Sequence, residues 1–285
     1  MAVEAKKVKE LRERTDLPMM ECKRALEKAD GDVDKAYDQL RKAGLKAKEK
    51  LAGRTSLQGK VASRLSNDGK QGVIVALRCE TESVAKNEKF QEFLEELAQL
   101  VENENPADTA ALTHLKTESG ETVEEGVTDL INQIRENINL GRFARFNGDA
   151  VVQYVHFDNK KAAMVALEGG SASDDAVQEL GKGLCMHIVF EKPKALSREQ
   201  VDPESIEKER EIRLAAMKND PKNAKKPEEI LAKIISGQMD KWVAQQCLLE
   251  QPFVRDQKQT VQQVIDNSGT GVKILDFAYV ATDIE

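Results

Sequence analysis

The sequence predicts an α+β fold. It reads as a small N-terminal module of three helices, then a core of two related α/β subdomains with antiparallel sheets and an inserted antiparallel helical hairpin. Three observations carry this. The chain has 285 residues, 33% of them charged and only 4% aromatic, which favours a helix-rich, well-solvated protein of about two domains with room for a sizeable core. An apolar run of strand length followed by a stripe at helical spacing occurs twice, in 72–101 and again in 162–190. Two charged helical stretches in 202–246 break the second occurrence.

Residues 1–44 hold the three helices. Val8 and Leu11 give the first its apolar face, and Pro18 is suited to open the second, where a missing N–H costs nothing. Met19, Cys22, Ala25, Leu26 and Ala29 form that helix's inner stripe, and Gly31 stops it. Asp32 caps a third helix that buries Val33, Ala36, Tyr37 and Leu40 and ends at Gly44. Residues 45–56 have no apolar stripe and read as a charged linker.

The first core unit spans 57–141. Its strands, Gly59 to Leu65 and Gly72 to Arg78, meet at Asn67-Asp68-Gly69, a hairpin signal. Helices follow at Asn87 to Glu102 and after Gly120. The second unit spans 142–201 and 247–285. There Asn147-Gly148-Asp149 is expected to turn Phe143-to-Phe146 into Ala150-to-Phe157, and Asp158-Asn159-Lys160 to lead on to Ala162-to-Leu167. A helix from Asp174 to Phe190 comes next, and Val272 to Val280 alternates like a strand. In 202–246, two helices joined by Asn219-Asp220-Pro221-Lys222-Asn223 make the hairpin.

The net charge is −7 with both signs interspersed. Duplex nucleic acid needs a clustered basic face, so no direct nucleic-acid partner is expected. Cys22, Cys79, Cys185 and Cys247 are far apart and form no CxxC pair, which points to buried free thiols in a reducing compartment. No apolar run approaches membrane-spanning length, so no membrane association and a cytoplasmic location are expected. No phosphate-binding glycine loop or nucleophile dyad is present. Asp30, Asp32 and Asp34 imitate an EF-hand opening, but Lys35 stands where its glycine belongs and Arg41 where its bidentate glutamate belongs. Cys185 and His187 diverge in either regular backbone and chelate poorly. No cofactor, no metal and no enzyme activity are therefore expected.

Three places suit contact with a partner. The strand-to-helix corner Cys79-Glu80-Thr81-Glu82-Ser83-Val84-Ala85-Lys86-Asn87 presents side chains from between two rigid elements, although it also serves as a plain connection. Met20 falls off the inner stripe of its helix and is an adaptable apolar contact or a covered methionine. His156 is either a contact at a hairpin tip or a half-exposed strand-end histidine.

VKELRERTDLPMMECKRALEKADGDVDKA at 8–36 and RCETESVAKNEKF at 78–90 resemble the two signatures of the bacterial translation elongation factor Ts family. RENINLGRFARFNGD at 135–149, CMHIVFEKP at 185–193 and GQMDKWVAQQCLLEQPFV at 237–254 match it further, in the family's order, so the resemblance spans nearly the whole chain. It implies a guanine nucleotide exchange factor for elongation factor Tu, bound in its GDP-loaded and nucleotide-free states. It implies that the N-terminal module, similar to ubiquitin-associated domains, docks on the partner through Leu17, Met19 and Met20. It implies that Thr81, Glu82, Ser83, Val84 and Ala85 push into the GTPase domain and dislodge Mg²⁺, that His156 grips another partner domain, and that 202–246 mediates a homodimer in some members. Two departures stand out. Members usually carry Thr-Asp-Phe where this chain has Thr81-Glu82-Ser83, so an apolar wedge whose burial is worth roughly 1.5–3 kcal/mol is missing. The extra C-terminal helical module of some members is also expected to be absent. The resemblance leaves two alternatives: a non-exchanging paralogue that binds without catalysing release, and a ubiquitin-associated-like adaptor unconnected with translation.

Overall fold

The computed structural model describes residues 3–219 and 227–283. Helices α1 (Ala5–Thr15), α2 (Met19–Lys28) and α3 (Val33–Leu51) form the N-terminal module. Leu11, Leu17, Cys22, Leu26, Ala36 and Leu40 fill its interior. Asp32 caps α3 by accepting a hydrogen bond from the Lys35 amide at 3.0 Å. The helix stop expected at Gly44 does not occur. α3 runs straight through Gly44, because residues 45–51 are mostly good helix formers. A Cβ at Gly44 would lie 3.4 Å from the Asn132 side chain, about an ordinary contact. Leu51, at the helix end, is buried in the core beyond.

The first core unit comprises β1 (Gln58–Leu65), β2 (Gln71–Cys79), α4 (Glu82–Ala85), α5 (Glu88–Glu104), α6 (Thr109–Thr113), α7 (Val123–Ile134) and β3 (Asn139–Asn147). The second comprises β4 (Ala150–Val155), β5 (Lys161–Glu168), α8 (Asp175–Glu191), the hairpin helices α9 (Pro203–Asn219) and α10 (Glu228–Gln246), the small ladder β6 (Pro252–Phe253) with β7 (Asp256–Thr260), α11 (Val261–Asn267) and β8 (Lys273–Ala281). Two three-stranded antiparallel sheets result, ordered β1-β2-β3 and β4-β5-β8.

The sheets correct one expectation. The hairpin through Asn147-Gly148-Asp149 does not form. β3 pairs with β2 and completes the first sheet. Residues 147–149 cross between sheets, with the Gly148 amide donating to Lys70 O and the Asp149 amide to Leu167 O, both at 2.9 Å. The turn expected at 220–223 lies outside the described residues.

Side-chain alternation divides the core. From β2, Val73, Val75, Leu77 and Cys79 pack under α5 and α7, whereas Ile74 and Ala76 face the other sheet. From β5, Ala163, Val165 and Leu167 pack with residues of α8, whereas Ala162, Met164 and Ala166 face the first sheet. The layers are helix, sheet, sheet, helix. Central strands buried on both faces read as unbroken apolar runs, which is how β2 and β5 appear in sequence. In the hairpin, Leu214 and Met217 of α9 pack against Leu231, Ile235 and Met239 of α10.

The N-terminal module rests on α7. Tyr37 Oη donates to Glu121 Oε1 at 2.8 Å, Arg41 pairs with Glu125 and Lys48 with Glu124, and Gln133 Nε2 donates to Thr15 O at 3.2 Å.

Candidate functional site

The corner after β2 is built by capping. Thr81 has extended backbone, and its Oγ1 accepts from the Val84 amide at 3.4 Å, opening the single turn α4. Asn87 then caps α5 through the Lys89 amide. Ala85 is fully buried, and Val84 packs partly against the first core. Ser83 is exposed.

Glu136, in the connection from α7 to β3, holds this corner. Its Oε2 accepts from the Glu80 amide (3.2 Å) and the Thr81 amide (3.0 Å), and its Oε1 accepts from Thr81 Oγ1 (2.7 Å). The tie is reciprocal: Glu80 Oε1 accepts from the Asn137 amide at 2.7 Å. Cys79 Sγ donates to Thr81 O at 3.2 Å, and burial pushes that thiol up to about 12.

Glu82 is surrounded by ammonium groups. Lys160 Nζ lies 2.7 Å from its carboxylate, Lys60 3.5 Å and Lys86 3.7 Å. Lys160 foremost, then Lys60, hold the Glu82 carboxyl below its ordinary value. Lys160 belongs to the turn between β4 and β5. That turn is tied to β1, since the Val61 amide donates to Asn159 O and Lys60 Nζ to Asp158 O, both at 2.7 Å. Phe157 stands at the same turn, 88% exposed, and a shallow groove runs between it and Thr81 and Glu82. His156 is half-buried. Its Nδ1 is 3.0 Å from Tyr154 Oη, and its ring lies 4.5 Å from that of Phe157.

In the N-terminal module, Met19 and Met20 are each 56% exposed, whereas Leu17 is buried. Leu17 lies in the module's interior. One expectation is corrected here. Met19, assigned to the inner stripe, faces outward, because α2 begins at Met19 and its buried face begins at Cys22. The module reaches the start of the corner through Arg135, which pairs with Glu21 at 2.8 Å and precedes Glu136; Asp16 also pairs with Lys89, just past the corner's end.

The structure thus joins all three places. Arg135–Glu21, Glu136–Thr81 and Glu82–Lys160 link module, corner and hairpin turn in series. Sequence reasoning missed Glu136, Lys60, Lys160 and Phe157. An aromatic directly before Asp158-Asn159 was a readable sign of an exposed contact. A glutamate or lysine in a polar loop carries no such sign. Among the described residues no three His, Cys, Asp or Glu side chains converge on a metal position, and no described helix is long and apolar enough to cross a membrane. His187 is fully buried, its Nδ1 accepting from the Val254 amide and its Nε2 2.9 Å from Gln251 Oε1.

A family model described as Elongation factor TS matches residues 80–282. A protein named elongation factor Ts from Azoarcus sp. (strain BH72) is 44% identical over 285 residues, covering 99% of this chain and 92% of its own. Its namesake from Cupriavidus necator is 42% identical over 286 residues, covering 100% and 92%. One from Clostridium botulinum (strain Alaska E43 / Type E3) is 39% identical over 279 residues, covering 95% and 90%. With the family model matching 80–282 and relatives about 40% identical covering nearly the whole chain, the chain belongs to the elongation factor Ts family.

Proposed function

We propose that this protein is the guanine nucleotide exchange factor for elongation factor Tu in translation elongation. It acts by binding alone and breaks no covalent bond. The observation that carries this reading is the serial linkage of two exposed methionines, a clamped corner and an exposed Phe157 with His156. Such an arrangement supports simultaneous contact with separated parts of one partner. The module, through Met19 and Met20, grips the GTPase domain. The corner, through Thr81, Glu82, Ser83 and Val84, presses beside the Mg²⁺ and phosphates, with Ala85 as its buried footing. His156 and its turn hold a second domain.

An exchanger favours the emptied GTPase over the nucleotide-bound one. Reciprocity then requires it to weaken nucleotide binding by the same factor. Speeding release about 10⁴-fold corresponds to about 5.5 kcal/mol off the barrier. Removing a divalent cation from between phosphates supplies a term of that kind.

The test is loss of a fluorescent GDP analogue from elongation factor Tu on mixing with this protein. Accelerated release is expected, and unchanged release at saturating concentration overturns the reading. Ser83 in place of an apolar residue, together with a lysine-held Glu82, favours one second reading, a binder that does not exchange. Binding without acceleration would support it. The variant Ser83→Phe restores an apolar tip and is expected to speed release about tenfold, a part of what burying one large apolar side chain can contribute. An unchanged rate in that variant rejects an apolar wedge at this position.

A further inference from the structure

We infer that Glu136 is the positioning residue of the corner: it sets the angle at which 80–85 meets a partner and makes no partner contact of its own. The inference rests on the exchange reading above and deepens it. Two successive amides and a hydroxyl, all at the point where β2 ends, converge on one carboxylate. Charge-assisted bonds of this kind are the stronger class, and they fix Thr81 as the residue that caps α4. These three bonds engage both oxygens of Glu136.

The clamp is doubled. Glu80 returns the bond to the Asn137 amide, and Asn137 Nδ2 donates to Arg54 O at 2.6 Å. Arg54 lies 3.5 Å from Glu80 and balances its charge. The segments 79–82 and 135–138 therefore lock each other, each through a glutamate on the other's backbone. Because Arg135 is tied to Glu21, the same short connection orients the corner relative to the exposed methionines. A flexible α4 would still permit docking through the module and the hairpin turn. It would deliver the corner to the phosphate region less often.

Two variants separate positioning from direct electrostatic action. Glu136→Gln keeps the reach and can keep all three bonds, with its oxygen on the amides and its NH₂ donating to Thr81 Oγ1, but loses the charge. Glu136→Asp keeps the charge and loses the reach. Maximal release rate and half-saturating concentration are measured against elongation factor Tu loaded with fluorescent GDP. Amide hydrogen exchange at 80–85 is measured on the protein alone. For Glu136→Asp, a maximal rate lowered about tenfold with half-saturation within about twofold is expected, since small misplacements act on rate more than on binding. Faster amide exchange at Glu80 and Thr81 should accompany it. Glu136→Gln should stay within about threefold of the parent in every reading. The inference is overturned if the order of the two variants reverses, if half-saturation alone changes, or if corner amides exchange as in the parent. Should the parent itself fail to speed release, the exchange reading falls, while the amide measurement still decides whether Glu136 orders the corner.

Discussion

The two core units are the same object with different corners. Each sets a hairpin against a third antiparallel strand, with the hairpin's second strand in the centre. Each third strand carries one extra residue beside the same part of the central strand. Val75 pairs with Phe143 but Leu77 with Leu140, and Ala166 pairs with Asp276 but Leu167 with Ile274. Such bulges sharpen the local twist, and a matching pair argues for duplication. α5 and α8 are both 17 residues long, and both close on a residue in left-handed backbone, Asn105 and Lys192. Between strand and helix the copies part. The second unit turns tightly through Gly169 and Gly170, with the Gly169 amide on Asp149 Oδ2 at 2.8 Å. The first inserts α4, clamps it through Glu136 and surrounds Glu82 with lysines. Packing held the copies alike, while the segment outside the core was free to specialise.

The strongest way to break the resemblance is at the contact between the sheets. β5 carries Ala162 where β2 has Gly72. A Cβ on Gly72 would come within 2.5 Å of Gln153 Nε2, 2.7 Å of Val151 Cγ1 and 2.8 Å of Met164 Sδ. Gln153 Nε2 is itself committed across the interface, donating to Arg64 O (2.7 Å) and Val73 O (3.1 Å). Gly72→Val is expected to cost about 3 kcal/mol or more by overpacking and by displacing that amide. Ala162→Gly, the reciprocal change, should cost only about 1 kcal/mol. Urea unfolding reads both, and equal costs would mean the sheets adjust freely to one another.

That contact also shows what the sequence could and could not disclose. Burial on both faces left Val73 to Leu77 and Ala162 to Leu167 as unbroken apolar runs, so the central strands and the repeat were legible. The helices were legible from their stripes, and the cap at Asp32 from residue type. The pairing of β3 was not, because Asn147-Gly148-Asp149 is a strong local hairpin signal and the true partner, β2, is some seventy residues away. Gly44 misled because a glycine that ends a helix and one the helix runs through look alike in sequence. At the site, the corner was visible as a break in periodicity. Its clamp was not, since Glu136, Lys60 and Lys160 act only by meeting it in three dimensions.

A second contrast lies in what each unit carries outside its sheet. The first bears the N-terminal module on α7, and the second carries the α9–α10 hairpin at the matching point of the chain. The module interface contains a strained charge. Burial, then the neighbouring Glu121, pushes the Asp129 carboxyl up to about 6, against the pull of Arg41. Tyr37, Arg41, Glu121 and Glu125 surround this group. The folded carboxyl keeps its proton to higher pH than the unfolded one, so the native state binds extra protons between about pH 4 and pH 6. Its contribution to stability is full below about pH 4 and is lost as pH rises through about 6. Asp129→Asn imitates the protonated form. It should stabilise the fold by on the order of 2 kcal/mol at pH 7.5 and by almost nothing near pH 4. A gain independent of pH would place the effect elsewhere than in this carboxyl.

The smallest expected effect sharpens the likeness of α5 and α8. Both end in left-handed backbone, φ 47° at Asn105 and φ 52° at Lys192. Asparagine tolerates that conformation and lysine does so less readily, because its Cβ crowds the carbonyl without a short polar group to compensate. The Lys192 ammonium recovers something over the Tyr279 ring, 5.7 Å from its centre. Lys192→Asn makes the second cap like the first, exchanging that weak contact for relief of backbone strain. A net gain of about 0.5 kcal/mol is expected in thermal unfolding. A loss instead would show that the second unit relies on the Lys192–Tyr279 contact for closure, a dependence the first unit does not share, and would make α8 the less self-sufficient of the two helices.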